Sequence, residues 1–182
     1  AQKRSRLDPR KTIPKDWDEV RLGYCLQTLF DGVHITPTYV DDGIPFLRVT
    51  DITSPGDIDW ASVRRISPEE FCEITRTRSA RKGDLLLSKN GTVGVPKIVD
   101  WDEKFAFFVS LAILRPSKRI SAEFLEAFFR SPVARSQIHD QSRRTSVINL
   151  HLEKIRKLLI PVPPREQQDV IVDLVQKLAK PF

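Results

Sequence analysis

The spacing of apolar residues changes period along this chain, and each change marks an element. Val170, Ile171, Leu174, Val175 and Leu178 recur at three- and four-residue steps, which predicts one apolar stripe on a C-terminal helix. Just before it, Pro161, Pro163 and Pro164 fall within four residues, so that segment is extended and not helical. A short apolar strand, a rigid proline elbow and an amphipathic helix leaving the body make a docking device. Upstream, residues 105–114 form the most apolar run and predict a central strand. Gly83-Asp84 introduces Leu85-Leu86-Leu87-Ser88, a predicted short buried strand. Asn90-Gly91 then suits a tight hairpin turn, with residues 93–99 returning as the partner strand. Ile44-Pro45-Phe46-Leu47-Arg48-Val49 reads as a strand entered from a turn at Asp41-Asp42-Gly43.

Two helices announce themselves by their caps. Ser67 at the N-cap, Pro68 at the first helical position and Glu70 two further on predict a capping box. Ser121 opens a helix whose Phe124, Leu125, Phe128 and Phe129 share a face, and Ser131-Pro132 restarts another, to about His139. Residues 20–30 are mixed and fit a strand or a short helix, with Trp17 anchoring the start of order. Residues 141–147 are polar and basic, hence a loop. The expected fold class is α+β: one domain with a mixed, hairpin-rich sheet flanked by helices and a C-terminal exit helix.

Bulk properties narrow the function classes. A chain of 182 residues suits one domain with a real core. No stretch approaches the roughly 18 continuous apolar residues of a membrane span. The N-terminal AQKRSRLDPRK lacks the apolar region of a signal peptide. Two cysteines, Cys25 and Cys72, make no disulfide framework, so a reducing, cytoplasmic setting is expected. The absence of Met suggests a piece of a longer chain. Charge is polarised. Residues 1–15 carry six basic residues and one acid, for +5; residues 16–60 carry two against nine, for −7; residues 61–182 carry 22 against 14, for +8. The first dozen residues lack periodicity and read as a flexible basic arm. A basic face of this kind suits phosphate neutralisation, or is simply solvated surface.

Candidate chemistry concentrates in two stretches. In Ser88-Lys89-Asn90-Gly91-Thr92-Val93-Gly94, two glycines expose backbone N–H groups while Lys89, Asn90 and Thr92 add donors suited to phosphates or base edges. It lacks the Gly-Lys-Ser/Thr ending of a P-loop, and a plain turn needing glycine is the alternative. In Gln141-Ser142-Arg143-Arg144-Thr145-Ser146, paired arginines flanked by hydroxyls reach guanine edges or phosphates, unless they are only a solvated basic loop. Arg76, Arg78, Arg81 and Lys82 form a third basic cluster, facing a helix C-terminus or phosphate. Catalytic constellations are weak. Asp84 with Asp102-Glu103-Lys104 superficially matches the carboxylate grouping of magnesium nucleases, but sits at a polar turn where exposed charge is ordinary. His34, His139 and His151 lack zinc-ligand spacing, and the cysteines fit core positions better than a nucleophile's role. No catalytic residue, metal site or cofactor is expected.

Pro163-Pro164-Arg165-Glu166-Gln167 leading into a helix, Gly43-Ile44-Pro45-Phe46-Leu47-Arg48-Val49-Thr50-Asp51-Ile52, and Gly83-Asp84-Leu85-Leu86 followed by Gly91 and Gly94 occur in one order. Together they resemble the target recognition domain of type I restriction-modification DNA specificity subunits, over nearly the whole ordered chain. Each motif is short, and the proline signature is the most specific. In the strand motif, Arg48 and Asp51 are expected to form a structural clasp. The resemblance implies residues 1–12 as a flexible arm, 13–164 as the DNA target recognition domain, and 165–182 as the start of a connecting helix. Because Pro181-Phe182 interrupts that helix, only its root is expected here. It further implies a non-catalytic specificity component that binds double-stranded DNA and reads half of a bipartite site. Methyltransferase (modification) subunits and a restriction/translocase subunit would be its partners and supply the chemistry. Lys89, Asn90, Thr92, Arg143, Arg144, Thr145 and Ser146 are the expected DNA contacts, chosen by chemistry and loop position. A recognition domain of a single-chain restriction-methyltransferase, a magnesium nuclease and a scaffold without DNA contact are the alternatives.

Overall fold

The computed structural model describes residues 13–54, 56–142 and 149–179. Strand β1 (Asp18–Arg21) passes through a 3-10 turn at Leu22–Cys25 into β2 (Leu26–Asp31). There follow β3 (Tyr39–Val40), β4 (Ile44–Leu47), helix α1 (Val49–Thr53), β5 (Arg64–Ile66) and α2 (Pro68–Thr75). Next come β6 (Leu85–Ser88), β7 (Pro96–Ile98), β8 (Ala106–Phe107) and β9 (Leu111–Pro116). The chain closes with α3 (Ala122–Arg130), α4 (Pro132–Ser142), α5 (Leu152–Lys157), β10 (Leu159–Val162) and α6 (Arg165–Ala179).

The class is α+β as expected, but among the described residues the strands form three sheets in place of one. Their orders are β1-β10, β2-β9-β6-β7 and β3-β5-β4-β8. The middle one is the wall between two cores. Leu29, Leu85, Leu87, Ala112 and Leu114 face a cluster with α3 and the 3-10 turn, among them Leu22, Phe124, Leu125 and Phe128. The alternate residues Phe30, Leu86, Leu111 and Ile113 face the other cluster, with Leu47, Ile52, Phe105 and Phe107. Strict alternation with apolar residues on both sides is what a strand buried on two faces requires.

The 105–114 run is therefore not one strand. β8 pairs in parallel with β4, whereas β9 pairs antiparallel with both β2 and β6. The chain changes sheet at Phe108, Val109 and Ser110, where Leu111 N–H closes a turn onto the Phe108 carbonyl at 2.9 Å. Both halves are equally apolar because both enter cores, so hydropathy hides the corner.

The other departures are local. The Ile44 strand stops at Leu47, and α1 starts because Asp51 folds back on Arg48. Asp51 Oδ2 accepts the Arg48 backbone N–H at 2.6 Å, and Arg48 Nη2 donates to Asp51 Oδ1 at 2.9 Å. The expected structural clasp is thus a helix cap that runs one way, with Arg48 donating from backbone and side chain and the Asp51 carboxylate accepting. Ser67 caps α2 by accepting the Glu70 N–H at 3.1 Å, but the box does not close: the Glu70 carboxylate takes the Thr38 N–H instead, at 3.2 Å. Ser121 caps α3 as expected, accepting from Phe124 at 3.0 Å. α4 runs on through Ser142, past the expected end. α5 fills the stretch before β10 where no element was foreseen. Among the described residues no helix is long and apolar enough to cross a membrane.

Candidate nucleic-acid interface

β6 and β7 are antiparallel, and the seven residues 89–95 join them. Ser88, fully buried, closes this loop on itself. Its hydroxyl accepts the Val95 N–H at 2.8 Å and donates to the Thr92 carbonyl, while Gly94 N–H donates to the Ser88 carbonyl at 2.9 Å. Gly91 and Gly94 have φ of +72° and +84°, but no non-glycine described residue has a positive φ. Asn90-Gly91 is therefore not the two-residue hairpin turn expected, since that turn needs positive φ at both positions. The wider loop follows from Ser88, whose hydroxyl substitutes for strand pairing.

The loop joins the two candidate stretches. A Cβ at Gly94 would stand 2.8 Å from Cδ1 of Ile138, so α4 packs directly against the loop. The 143–148 segment continues from the end of α4, and the chain after it returns to the same loop. Asn149 forms an antiparallel bridge with Asn90, and Leu150 N–H donates to the Lys89 carbonyl at 2.9 Å. Both flanks of the basic segment are thus tied to residues 89–94. Arg143, Arg144, Thr145 and Ser146 themselves lie outside the described residues.

Lys89 departs from expectation. Its side chain is 4% exposed, and its ammonium meets Asp31 Oδ2 at 2.6 Å. A cation so held is not a free surface donor; it neutralises a partly buried carboxylate whose isolation would be costly. Its N–H also donates to the Ser110 carbonyl at 2.7 Å, fixing the base of the loop. Thr92 is exposed and Asn90 half-buried. Asn90 Oδ1 and Asn149 Oδ1 are buried without a hydrogen-bond partner among the described residues. Asp31 and Asn149 are participants that sequence reasoning missed; neither has a local signal, because both join the site only through tertiary pairing.

The carboxylates of the nuclease reading do not converge. Asp84 is buried and grips Arg115 with both oxygens, from Nε and Nη2 at 2.8 Å each, and also takes the Arg81 N–H at 2.8 Å. That hydrogen bonding raises the Arg115 pKa against the opposing effect of burial. Asp102 is exposed and pairs with Lys82 at 2.9 Å. Among the described residues no three His, Cys, Asp or Glu side chains group to hold a metal ion.

Elsewhere, the glutamines after the proline elbow lock α6 to the body. Trp17 Nε1 donates to Gln167 Oε1 at 2.8 Å, and Gln167 Nε2 donates to Asp16 at 2.9 Å. Gln168, fully buried, accepts the Ser121 N–H at 3.0 Å and donates to the Arg119 and Pro163 carbonyls at 2.9 and 3.0 Å. The predicted stripe divides: Ile171 packs on the core beside Val172, whereas Val170, Leu174, Val175 and Leu178 stay exposed.

The described residues thus make a small α+β body with a clamped loop cluster and a C-terminal helix that exposes Val170, Leu174, Val175 and Leu178. The chain belongs to the family of type I restriction modification DNA specificity domains, whose model matches residues 39–181. It is 31% identical over 181 residues to the type I restriction enzyme EcoBI specificity subunit of Escherichia coli, covering 97% of this chain and 38% of that one. Solved structures share the fold. The HsdS subunit from Thermoanaerobacter tengcongensis aligns with a TM-score of 0.67 at 21% identity, over 94% of this chain and 39% of that one. A chain from a type I R-M system, solved for its complex assembly and conformational transition, gives 0.68 at 22% identity, over 94% and 40%. The S subunit of the M. genitalium system gives 0.59 at 13% identity, over 94% and 40%. The chain thus spans about two fifths of the length of these relatives.

Proposed function

We propose that this chain is a DNA target recognition domain that reads one half of a bipartite site for a type I restriction-modification system. In this reading residues 13–164 are the reading unit, and residues 165–182 begin the helix through which methyltransferase and restriction/translocase subunits are held in register on the duplex. The domain is itself non-catalytic and needs no cofactor. Methyl transfer from S-adenosylmethionine and ATP-driven translocation belong to the partners, and the setting is the cytoplasm. The observation that carries the reading is the convergence of the 89–95 loop on both flanks of the 143–148 segment. Asn90 and Thr92 bring amide and hydroxyl groups to the loop, and the sequence between the two tied flanks supplies guanidinium and further hydroxyl groups, the mixture that contacts phosphates and base edges. Asn90, Thr92, Arg143, Arg144, Thr145 and Ser146 are the proposed contacts, and Lys89 fixes the base of the 89–95 loop.

The test is methylation-site sequencing in cells carrying the intact system, with this domain wild type, exchanged or altered at Arg143 and Arg144. Exchange should replace one half of a bipartite motif and leave the other. Arg143→Ala with Arg144→Ala should weaken duplex binding by the assembled protein and flatten its salt dependence. An unchanged motif after exchange would reject the reading.

A further inference from the structure

We propose that His34, Ile35 and Thr36 form an additional base-reading element of the same interface, in which Ile35 seats against the 5-methyl group of a thymine. The proposal rests on the reading above and names one contact within it.

Three observations carry it. First, His34 is linked to the base of the 89–95 loop through side chains. His34 Nε2 lies 3.9 Å from Asp31 Oδ2, the oxygen that holds the Lys89 ammonium at 2.6 Å. His34, Asp31 and Lys89 thus lead in one chain of contacts to the residue preceding Asn90. Second, the segment is pinned at both ends. Val33 N–H donates to the Phe107 carbonyl at 3.1 Å, and Val109 N–H donates to the Val33 carbonyl at 2.9 Å. Gly32 approaches so closely that a Cβ there would stand 2.0 Å from the Phe107 carbonyl oxygen. At the far end Pro37 is buried and the Thr38 N–H is held by Glu70 at 3.2 Å. Only His34, Ile35 and Thr36 project from this frame, all exposed. Third, Ile35 is 81% exposed, among the most exposed large apolar side chains described.

A lone surface isoleucine is ordinary in itself. One presented by a pinned segment beside a proposed base-contact loop is differently placed, because rigid presentation lets a single methyl contact discriminate. The major groove displays only one apolar group, the thymine methyl, and an aliphatic side chain is its natural reader. The segment lies in the acidic 16–60 stretch, and Glu70 stands at Thr38, but residues 32–38 themselves contain no carboxylate and Lys89 neutralises the neighbouring Asp31.

The test uses the full-length protein assembled with its methyltransferase, on its own target as read by methylation-site sequencing. Each thymine of the half-site is replaced singly by uracil, which removes only the methyl group, and Kd is measured for wild type and Ile35→Ala. At one position the replacement should weaken wild-type binding about threefold to fivefold, the effect of one uncovered methyl. Ile35→Ala should bind the thymine duplex about as weakly and be indifferent to uracil there, with an unchanged melting temperature. A half-site with no thymine, or uracil effects equal in wild type and variant at every position, overturns the proposal. The interface reading fails separately: Asn90→Ala and Thr92→Ala would then leave both motif and affinity unchanged. If those variants weaken binding while Ile35→Ala behaves as wild type on every duplex, only the methyl contact is lost.

Discussion

The root of α6 and the 89–95 loop are both built around side-chain amides, and they use them in opposite ways. At the root, Gln167 and Gln168 engage Trp17, Asp16, Ser121, Arg119 and Pro163, so the direction of the helix is over-determined. At the loop, Asn90 and Asn149 face one another across a bridge with each Oδ1 buried and unbonded among the described residues. A satisfied buried network fixes one geometry, whereas a partly satisfied one leaves free energy to be gained by adjustment. The difference separates a helix root whose described amides are all engaged from a loop whose amides are not, and the proposed reading assigns attachment to the first and DNA contact to the second.

Breaking the root should have the largest effect. Gln168→Leu leaves the Ser121 N–H and the Arg119 and Pro163 carbonyls without their partner. The expected loss is about 3 kcal/mol, since each stranded buried group costs roughly 1–3 kcal/mol. It is read as a lower denaturant midpoint at unchanged slope. A loss below about 1 kcal/mol would show that the root is not over-determined.

The base of the loop should come next. Lys89→Met strands the Asp31 carboxylate, and because Asp31 is 24% exposed the cost falls below that of a fully buried pair, at about 2 kcal/mol. Adding Asp31→Asn should recover most of it, which a purely steric role for Lys89 would not allow. The smallest stability effect is expected at the open groups. Thr92→Ala and Leu174→Ser should each shift stability by less than about 0.5 kcal/mol, with Thr92→Ala weakening only DNA binding. A larger shift in thermal melting at either site would erase the contrast between the two regions.

What was legible beforehand was whatever local chemistry decides. Ser121 and Ser67 cap their helices because serine followed by a donor N–H is a short-range device. Leu85–Ser88 is a strand within the bounds its flanking residues set. The resemblance carried by the proline signature reached the family directly. What failed was decided at long range. The 105–114 run is divided because two sheets compete for it, and Asn90-Gly91 opens into a wide loop because Ser88 captures Val95 and Thr92. Lys89 looked like a surface donor because its partner, Asp31, lies far upstream in sequence. Glu70 met the sequence rule for a capping box, yet Thr38 takes its carboxylate.

The pairing of β1 with β10 has a mechanical consequence. Asp18 sits opposite Val162 and Arg21 opposite Leu159, so the entering and departing chains meet at the same end of the ribbon. Tension between them would peel the ribbon like a zipper, loading one rung at a time instead of shearing all rungs at once. Just ahead of the first rung, the indole of Trp17 is fastened to Gln167, so any such pull meets that latch before it reaches the strands.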